Sequence, residues 1–267
     1  MISKIKVLLK RGGIFGFSIA LVKRTFAARE RKAQKKAYKR AYKSMLALKS
    51  TKERFSEIYD QNLWSSSESG SGTGSEVFYT APLRQWLIEN INSLKIKTFV
   101  DAPCGDFNWM KLVLPEVNVK YIGLDIVDDV IEKNMKDHAS DEVKFEVADI
   151  CKDGLPDCDL IMVRDCLFHL SYEDINSFFI NLAKTNYQYL LTTTYKVDGK
   201  FENRDIKSGD FRLINLFDFP FSFNPEEIKS RVDDFPSGYS MEREMLLVEK
   251  KFVPTRLLKF STSPKDS

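Results

Sequence analysis

The sequence predicts an α/β fold: a doubly wound, mainly parallel seven-stranded sheet with an antiparallel edge strand, preceded by a helical extension. Three observations carry this. Short apolar strands alternate with helical stretches from Ala81 to Thr194, the pattern of strands joined by helical crossovers. The first strand ends in an acid and a glycine-bearing turn, and residues 1–60 contain no proline. In order, the pattern gives a helix over 81–92, a strand over 98–100 and a helix over 109–114. A second strand over 119–124, a helix over 129–137 and strands over 143–147 and 160–163 follow. A helix over 172–185 and a strand over 189–194 come next, then a helix over 226–232 and a strand over 244–250. Strands this short and apolar suit burial on both faces. Phe217, Phe219, Phe221 and Phe223 also alternate, but Pro220 and Pro225 interrupt them, which argues against a central strand.

Composition narrows the function classes. With 43% hydrophobic and 30% charged residues among 267, the chain is neither disordered nor membrane-embedded in character. The net charge of +3 divides unevenly: residues 1–54 hold 17 lysines and arginines against Glu30 and Glu53, a charge of +15, leaving −12 for the remainder. That remainder is not a general polyanion binder, so any attraction to polyanions belongs to the N-terminus. Ala33, Ala37, Ala41 and Met45 recur there at helical spacing, and such a helix needs packing on a domain, a partner or an anionic membrane. The apolar run Ile14–Val22 falls short of the roughly 20 residues that cross a bilayer. A signal-peptide reading is opposed by the dense positive charge from Arg29 to Lys43. Cys104, Cys151, Cys158 and Cys166 form no metal-ligand spacing, which predicts a reduced, cytoplasmic setting without a metal.

The chemistry concentrates at strand ends. In Thr98-Phe-Val-Asp101-Ala-Pro-Cys-Gly105-Asp106-Phe-Asn108-Trp109, a small residue in the first strand-to-helix turn lets backbone approach a ligand, and free amides at a helix start meet an anionic group. Asp125 ends the second strand, 20 residues after Gly105, and is placed to accept ribose hydroxyl protons. Asp149 ends the third and can receive an adenine amino group, with Ile150 covering the ring. Each acid taken alone also reads as a helix cap or turn residue. Residues 64–75, rich in Gly and Ser between aromatic residues, read as a substrate-side loop on a rigid scaffold or as a linker.

These three strand ends resemble the class I S-adenosylmethionine-dependent methyltransferases, a Rossmann-like family, over roughly residues 55–250. The resemblance implies S-adenosylmethionine as cofactor, with Asp101, Pro103, Gly105, Asp106, Asn108, Trp109, Asp125, Ile126, Asp149, Ile150 and Arg164 around it. One departure stands out: in D-x-G-x-G-x-G, Pro103 and Phe107 occupy the first and third glycine positions and only Gly105 remains. That suits the amino-acid tail of S-adenosylmethionine better than a pyrophosphate.

Arg164-Asp165-Cys166-Leu-Phe-His169 resembles the segment that faces the methyl acceptor. His169 or Asp165 would take the acceptor's proton, though His169 reads equally as a packed histidine; His138, among polar turn residues, reads as exposed. Together with the segments Trp64–Gly70, Leu190–Thr194, Asn203–Ile206 and Arg212–Leu216, the pattern is similar to bacterial methyltransferases of surface-glycan assembly, including capsule and phosphoramidate types. That likeness places Trp64, Glu68, Ser69, Asn203, Asp205, Arg212 and Asn215 around the acceptor, with Arg212 available to a phosphate or carboxylate. Turns and a surface ion pair would explain the same residues.

The expected organisation is thus a basic helical extension over 1–54, a methyltransferase domain over 55–260 and a tail over 261–267. The expected activity is O-methylation of a sugar, sugar nucleotide, glycan end or related phosphorylated metabolite. Residues 1–54 are expected to touch an anionic membrane or a glycosyltransferase complex from the cytoplasmic side. An RNA substrate, with the basic arm as its docking element, and a non-catalytic membrane adaptor are the competing readings. The acidic domain makes nucleic acid the weaker partner.

Overall fold

The computed structural model describes residues 27–197, 199–236 and 241–259. The apolar run over 14–22 and the tail over 261–267 lie outside them. The chain divides after Ala47 into two units. In the first, residues 27–47 form one helix, α1, rich in Ala, Lys and Arg, which are strong helix formers. Among the described residues no helix is long and apolar enough to cross a membrane.

The second unit opens with helix α2, Thr51–Asp60, fixed at its start by a capping box between Ser50 and Glu53, each satisfying an amide that the helix leaves unpaired. Helix α3, Ala81–Ser93, begins with Pro82 in its first turn, where no amide donor is needed. The sheet then unfolds in chain order as β1 (Thr98–Asp101), β2 (Lys120–Asp125), helix α4 (Asp128–His138), β3 (Val143–Val147), β4 (Cys158–Val163), helix α5 (Tyr172–Leu182) and β5 (Tyr187–Tyr195). Strands β6 (Ile228–Asp233) and β7 (Arg243–Glu249) complete it. The spatial order is β3-β2-β1-β4-β5-β7-β6. Strands β1 to β5 pair in parallel, whereas β7 runs antiparallel to both β5 and β6. The antiparallel component therefore lies at one end of the sheet, with β6 as the edge.

Each strand sends successive side chains to opposite faces, and two apolar layers result. Val100, Ile161, Leu190 and Leu246 pack with Ile175, Phe178 and Phe179 of α5. On the other face Phe99, Tyr121, Leu160 and Leu191 pack with Leu83, Leu87 and Ile91 of α3 and Ile131 of α4. Burying one such side chain contributes about 1.5–3 kcal/mol, and this doubly covered frame is what holds the strand ends in fixed register.

Two expected helices are corrected. Residues 109–114 form no α-helix: two short 3-10 turns, Met110–Leu112 and Leu114–Glu116, replace it. Pro115 has no amide to donate into a helical ladder. No helix N-terminus therefore stands behind the first turn. Residues 228–233 are strand β6, with Ile228, Ser230 and Val232 alternating against exposed Lys229, Arg231 and Asp233. That two-residue period, not a helical one, decides their structure.

Candidate functional site

The parallel strands end together over a cleft of about 930 Å³, counting space open to solvent, that is lined from Thr51 in α2 to Leu170 beyond β4. Gly105, Asp125 and Asp149 all line it, so three adjacent strand ends meet one space.

Asp101, the last residue of β1, is 2% exposed. Its Oδ2 accepts a hydrogen bond from the Tyr121 hydroxyl at 2.9 Å, while Oδ1 has no partner among the described residues. Burial pushes this carboxyl up to about 8, because removal from water penalises the charged form. The turn that follows is fastened from three directions. Gly105 donates its amide to Asp125 Oδ2 at 3.1 Å, and its carbonyl accepts from Asn134 Nδ2 at 2.7 Å. The third contact is the Gly/Ser loop. Asp106 accepts from Ser69 Oγ at 3.0 Å, the Gly70 amide at 2.8 Å and Ser71 Oγ at 3.2 Å, and its own amide donates to Ser71 Oγ at 3.0 Å.

The loop over 64–75 is therefore built into the site and is no linker. Its presence revises the role of Gly105. At φ +56°, a β-carbon on Gly105 would stand 2.3 Å from Ser71 Oγ, so the missing side chain makes room for the loop. Gly105→Ala is expected to cost about 2 kcal/mol or more, from left-handed strain plus displacement of Ser71. A thermal melt should show a drop of several degrees, and an unchanged midpoint would contradict the packing.

At the end of β2, Asp125 is buried, and burial raises it to about 6 despite the amides of Val127 and Gly105. Each carboxylate oxygen takes one backbone donor and keeps lone-pair capacity for another. Beyond β3, Asp149 accepts from the Cys151 amide at 3.0 Å and from Lys152 Nζ at 2.6 Å. Ala148 and Ile150 are buried beside it and line the cleft.

Past β4, Arg164 and Asp165 meet two residues that sequence reading missed. Arg164 grips fully buried Asp234 through Nε at 2.9 Å and Nη2 at 3.0 Å, donates to the Gly74 carbonyl at 2.7 Å and lies over the Trp109 ring. Arg243 Nε donates to the Asp234 carbonyl at 2.9 Å. Asp165 is paired with Arg164 at 3.2 Å and Arg243 at 2.9 Å. Both ion pairs fall on the same oxygen, Oδ2, so this carboxylate is already committed to Arg164 and Arg243, which weighs against Asp165 as the base.

His169 lines the same cleft, its ring 5.5 Å from that of Trp64. Nδ1 lies 2.9 Å from the Asp210 carbonyl oxygen. A carbonyl only accepts, so Nδ1 carries the hydrogen and Nε2 the lone pair. Burial lowers the pKa of this imidazole and favours the neutral ring.

Several expected site residues stand elsewhere. Asn108 donates to Glu68 at 2.7 Å and to the Ser75 carbonyl, so Asn108, Glu68 and Ser69 shape the loop and do not line the cleft. Asn203 binds the carbonyls of Asn215 and Phe219, Asn215 reaches Asp218, and Asp205 receives the amide at the start of α5. These are turn and capping roles. Arg212 is 2% exposed, donates to the Leu170 carbonyl and lies over the Tyr172 ring. It does not line the cleft, and its Nε and Nη2 have no hydrogen-bond partner among the described residues. His138 is half-buried against Phe107, with ring centres 5.0 Å apart. By contrast Pro103, Asp106, Trp109, Ile126 and Trp64 do line the cleft. Tyr59 and Ser71 join them, bonded to each other at 2.8 Å. All four cysteines are free, and burial pushes the Cys166 thiol up, so a thiolate nucleophile is disfavoured.

The sequence matches no protein-family model and no curated protein. Solved structures supply the likeness: the strand order and crossovers place this chain in the fold class of the S-adenosylmethionine-dependent methyltransferases. One such structure is Burkholderia thailandensis 1,6-didemethyltoxoflavin-N1-methyltransferase with 1,6-didemethyltoxoflavin and S-adenosylhomocysteine bound. It aligns at TM-score 0.55 and 11% identity over 74% of this chain and 86% of that one. PigF, solved with SAH, aligns at TM-score 0.50 and 9% identity over 74% and 59%. Human N-acetylserotonin methyltransferase aligns at TM-score 0.45 and 13% identity over 72% and 58%. The chain spans less than two thirds of the length of the last two, and at these identities the likeness is one of fold.

Proposed function

We propose that this chain is an S-adenosylmethionine-dependent methyltransferase that methylates a hydroxyl of a small, uncharged polar acceptor, with a sugar ring or glycan end as the favoured class. The observation that carries the reading is the convergence of Asp101, Asp125 and Asp149 from three adjacent parallel strands on one cleft. Ligands of open α/β sheets bind at the carboxyl ends of the strands.

The residues present fit the cofactor. Asp101 Oδ1 is a buried acceptor without a donor, which an α-ammonium group satisfies. Asp125 keeps lone pairs for ribose hydroxyls, and Asp149 with Ile150 suits an adenine edge and face. When bound, S-adenosylmethionine supplies a methyl group activated by its sulfonium. The chain's own contribution is to hold both partners out of water and to accept a proton at His169 Nε2. The ring of Trp64 beside His169 offers a flat apolar wall for a sugar face.

The same cleft disfavours phosphorylated acceptors. Asp106, Asp125 and Asp149 line it, Arg164 and Arg243 are already neutralised by Asp165 and Asp234, and Arg212 lies outside. An anion entering would meet net negative charge, and an RNA backbone meets the same obstacle.

Isothermal titration tests this reading. The parent protein is expected to bind S-adenosylmethionine and S-adenosylhomocysteine, and Asp125→Ala to bind both about tenfold to a hundredfold more weakly, the value of hydrogen bonds to a charged group. A parent that binds neither ligand would overturn the proposal.

A further inference from the structure

Helix α1 carries a surface that the chemistry of the cleft does not use. Arg29, Arg31, Lys32, Lys35, Lys36, Lys39, Arg40 and Lys43 are all exposed. At 3.6 residues per turn these eight fall within one half of the helix circumference. The opposite half carries Ala33, Ala37 and Ala41 with Glu30 and Gln34. Among the described residues none of the eight lies within ion-pair distance of a carboxylate. The helix is roughly 30 Å long, so this is a stripe of like charge maintained at the cost of self-repulsion, a cost that a polyanionic surface removes.

We propose that the basic half of α1 docks the protein on an anionic lipid bilayer. Two observations favour lipid over nucleic acid. Upstream in sequence, the apolar run Ile14–Val22 is bracketed by Lys10 and Arg11 on one side and Lys23 and Arg24 on the other. A short apolar segment next to a polybasic one supplies the two signals that stable peripheral binding requires. The aromatic residues among the cations, Tyr38 and Tyr42, stack on each other with ring centres 5.9 Å apart, whereas single-stranded nucleic acid is held by aromatic faces that stack on bases. The inference concerns location and does not depend on what the cleft transfers.

Sedimentation of the full chain with vesicles decides it. At about 0.1 M salt, the parent is expected to pellet with vesicles of about 30% phosphatidylglycerol in phosphatidylcholine and to stay in solution with phosphatidylcholine alone. Replacing Lys32, Lys36, Lys39 and Lys43 together by glutamine should weaken binding by about three orders of magnitude. The corresponding arginine set should keep it, with circular dichroism unchanged in both. Equal binding to the two lipid mixtures, no binding to either, or full retention by the glutamine set would each overturn the proposal. So would release from the vesicles by an equimolar single-stranded RNA.

Discussion

His169→Ala is expected to lower kcat by about a hundredfold to ten-thousandfold, the contribution of a positioned general base, while S-adenosylhomocysteine binding changes little. The argument rests on geometry. Nδ1 is committed to the Asp210 carbonyl, so the proton-accepting nitrogen is Nε2. Burial moves the imidazole below its ordinary 6.5. Protonation removes the base, so kcat should rise about tenfold per pH unit below that lowered pKa and level off above it. The variant should lose this acid limb. A variant within threefold of the parent, or an acid limb that survives the substitution, would remove His169 from the chemistry. Stability follows the same sign: neutral burial of His169 favours folding at pH values above 6.5 and loses that contribution as pH falls.

Asp101→Asn should separate binding from stability. The substitution removes the charge that an α-ammonium group needs, and S-adenosylhomocysteine affinity is expected to fall about tenfold to a hundredfold or more. The ligand-free protein should move the other way. Because burial raises Asp101 from 3.8 to about 8, its contribution to stability is complete below 3.8 and is lost as pH rises toward 8. At pH 8 the parent must ionise a desolvated carboxyl and the asparagine variant need not, so the variant's thermal midpoint should equal or exceed the parent's. Lower stability with unchanged affinity would show that Asp101 serves the fold alone.

How much of this was legible in the sequence differs by element. Strands β1 to β5 and their acids announced themselves, because buried parallel strands are short apolar runs and each ends where the chain leaves the core. Asp101, Asp125 and Asp149 therefore fell into one cleft as the alternation implied. Residues 228–233 were misread as helix although their inward positions alternate, since an edge strand with one polar face is a weak pattern. Apart from Trp64, the acceptor-side set lies outside the cleft for another reason. Asn203, Asp205 and Asn215 are polar loop residues, and composition cannot separate a loop that binds a ligand from one that binds its own carbonyls. Arg212 looked like a free cation because burial is a property of tertiary packing. The same limit hid Asp234 and Arg243, which lie 70 and 79 positions beyond Arg164 and join its ion pairs with Asp165 and Asp234 only once β7 inserts beside β5. The Gly/Ser loop was readable as a part of the site. Its mode of attachment, through Asp106 and the space left by Gly105, was not.

The most direct test of three acids enclosing one cofactor is the count of protons exchanged when S-adenosylhomocysteine binds at pH 7, measured by titration in buffers of different ionisation enthalpy. With Asp101 near 8 in the free protein, its carboxyl is mostly protonated at that pH. An ammonium group settling against it drives the proton off. Release approaching one proton, absent in Asp101→Asn, is the predicted result, with affinity rising from pH 6 to 8. Binding without proton release, or with net uptake, would contradict the placement of the cofactor against β1.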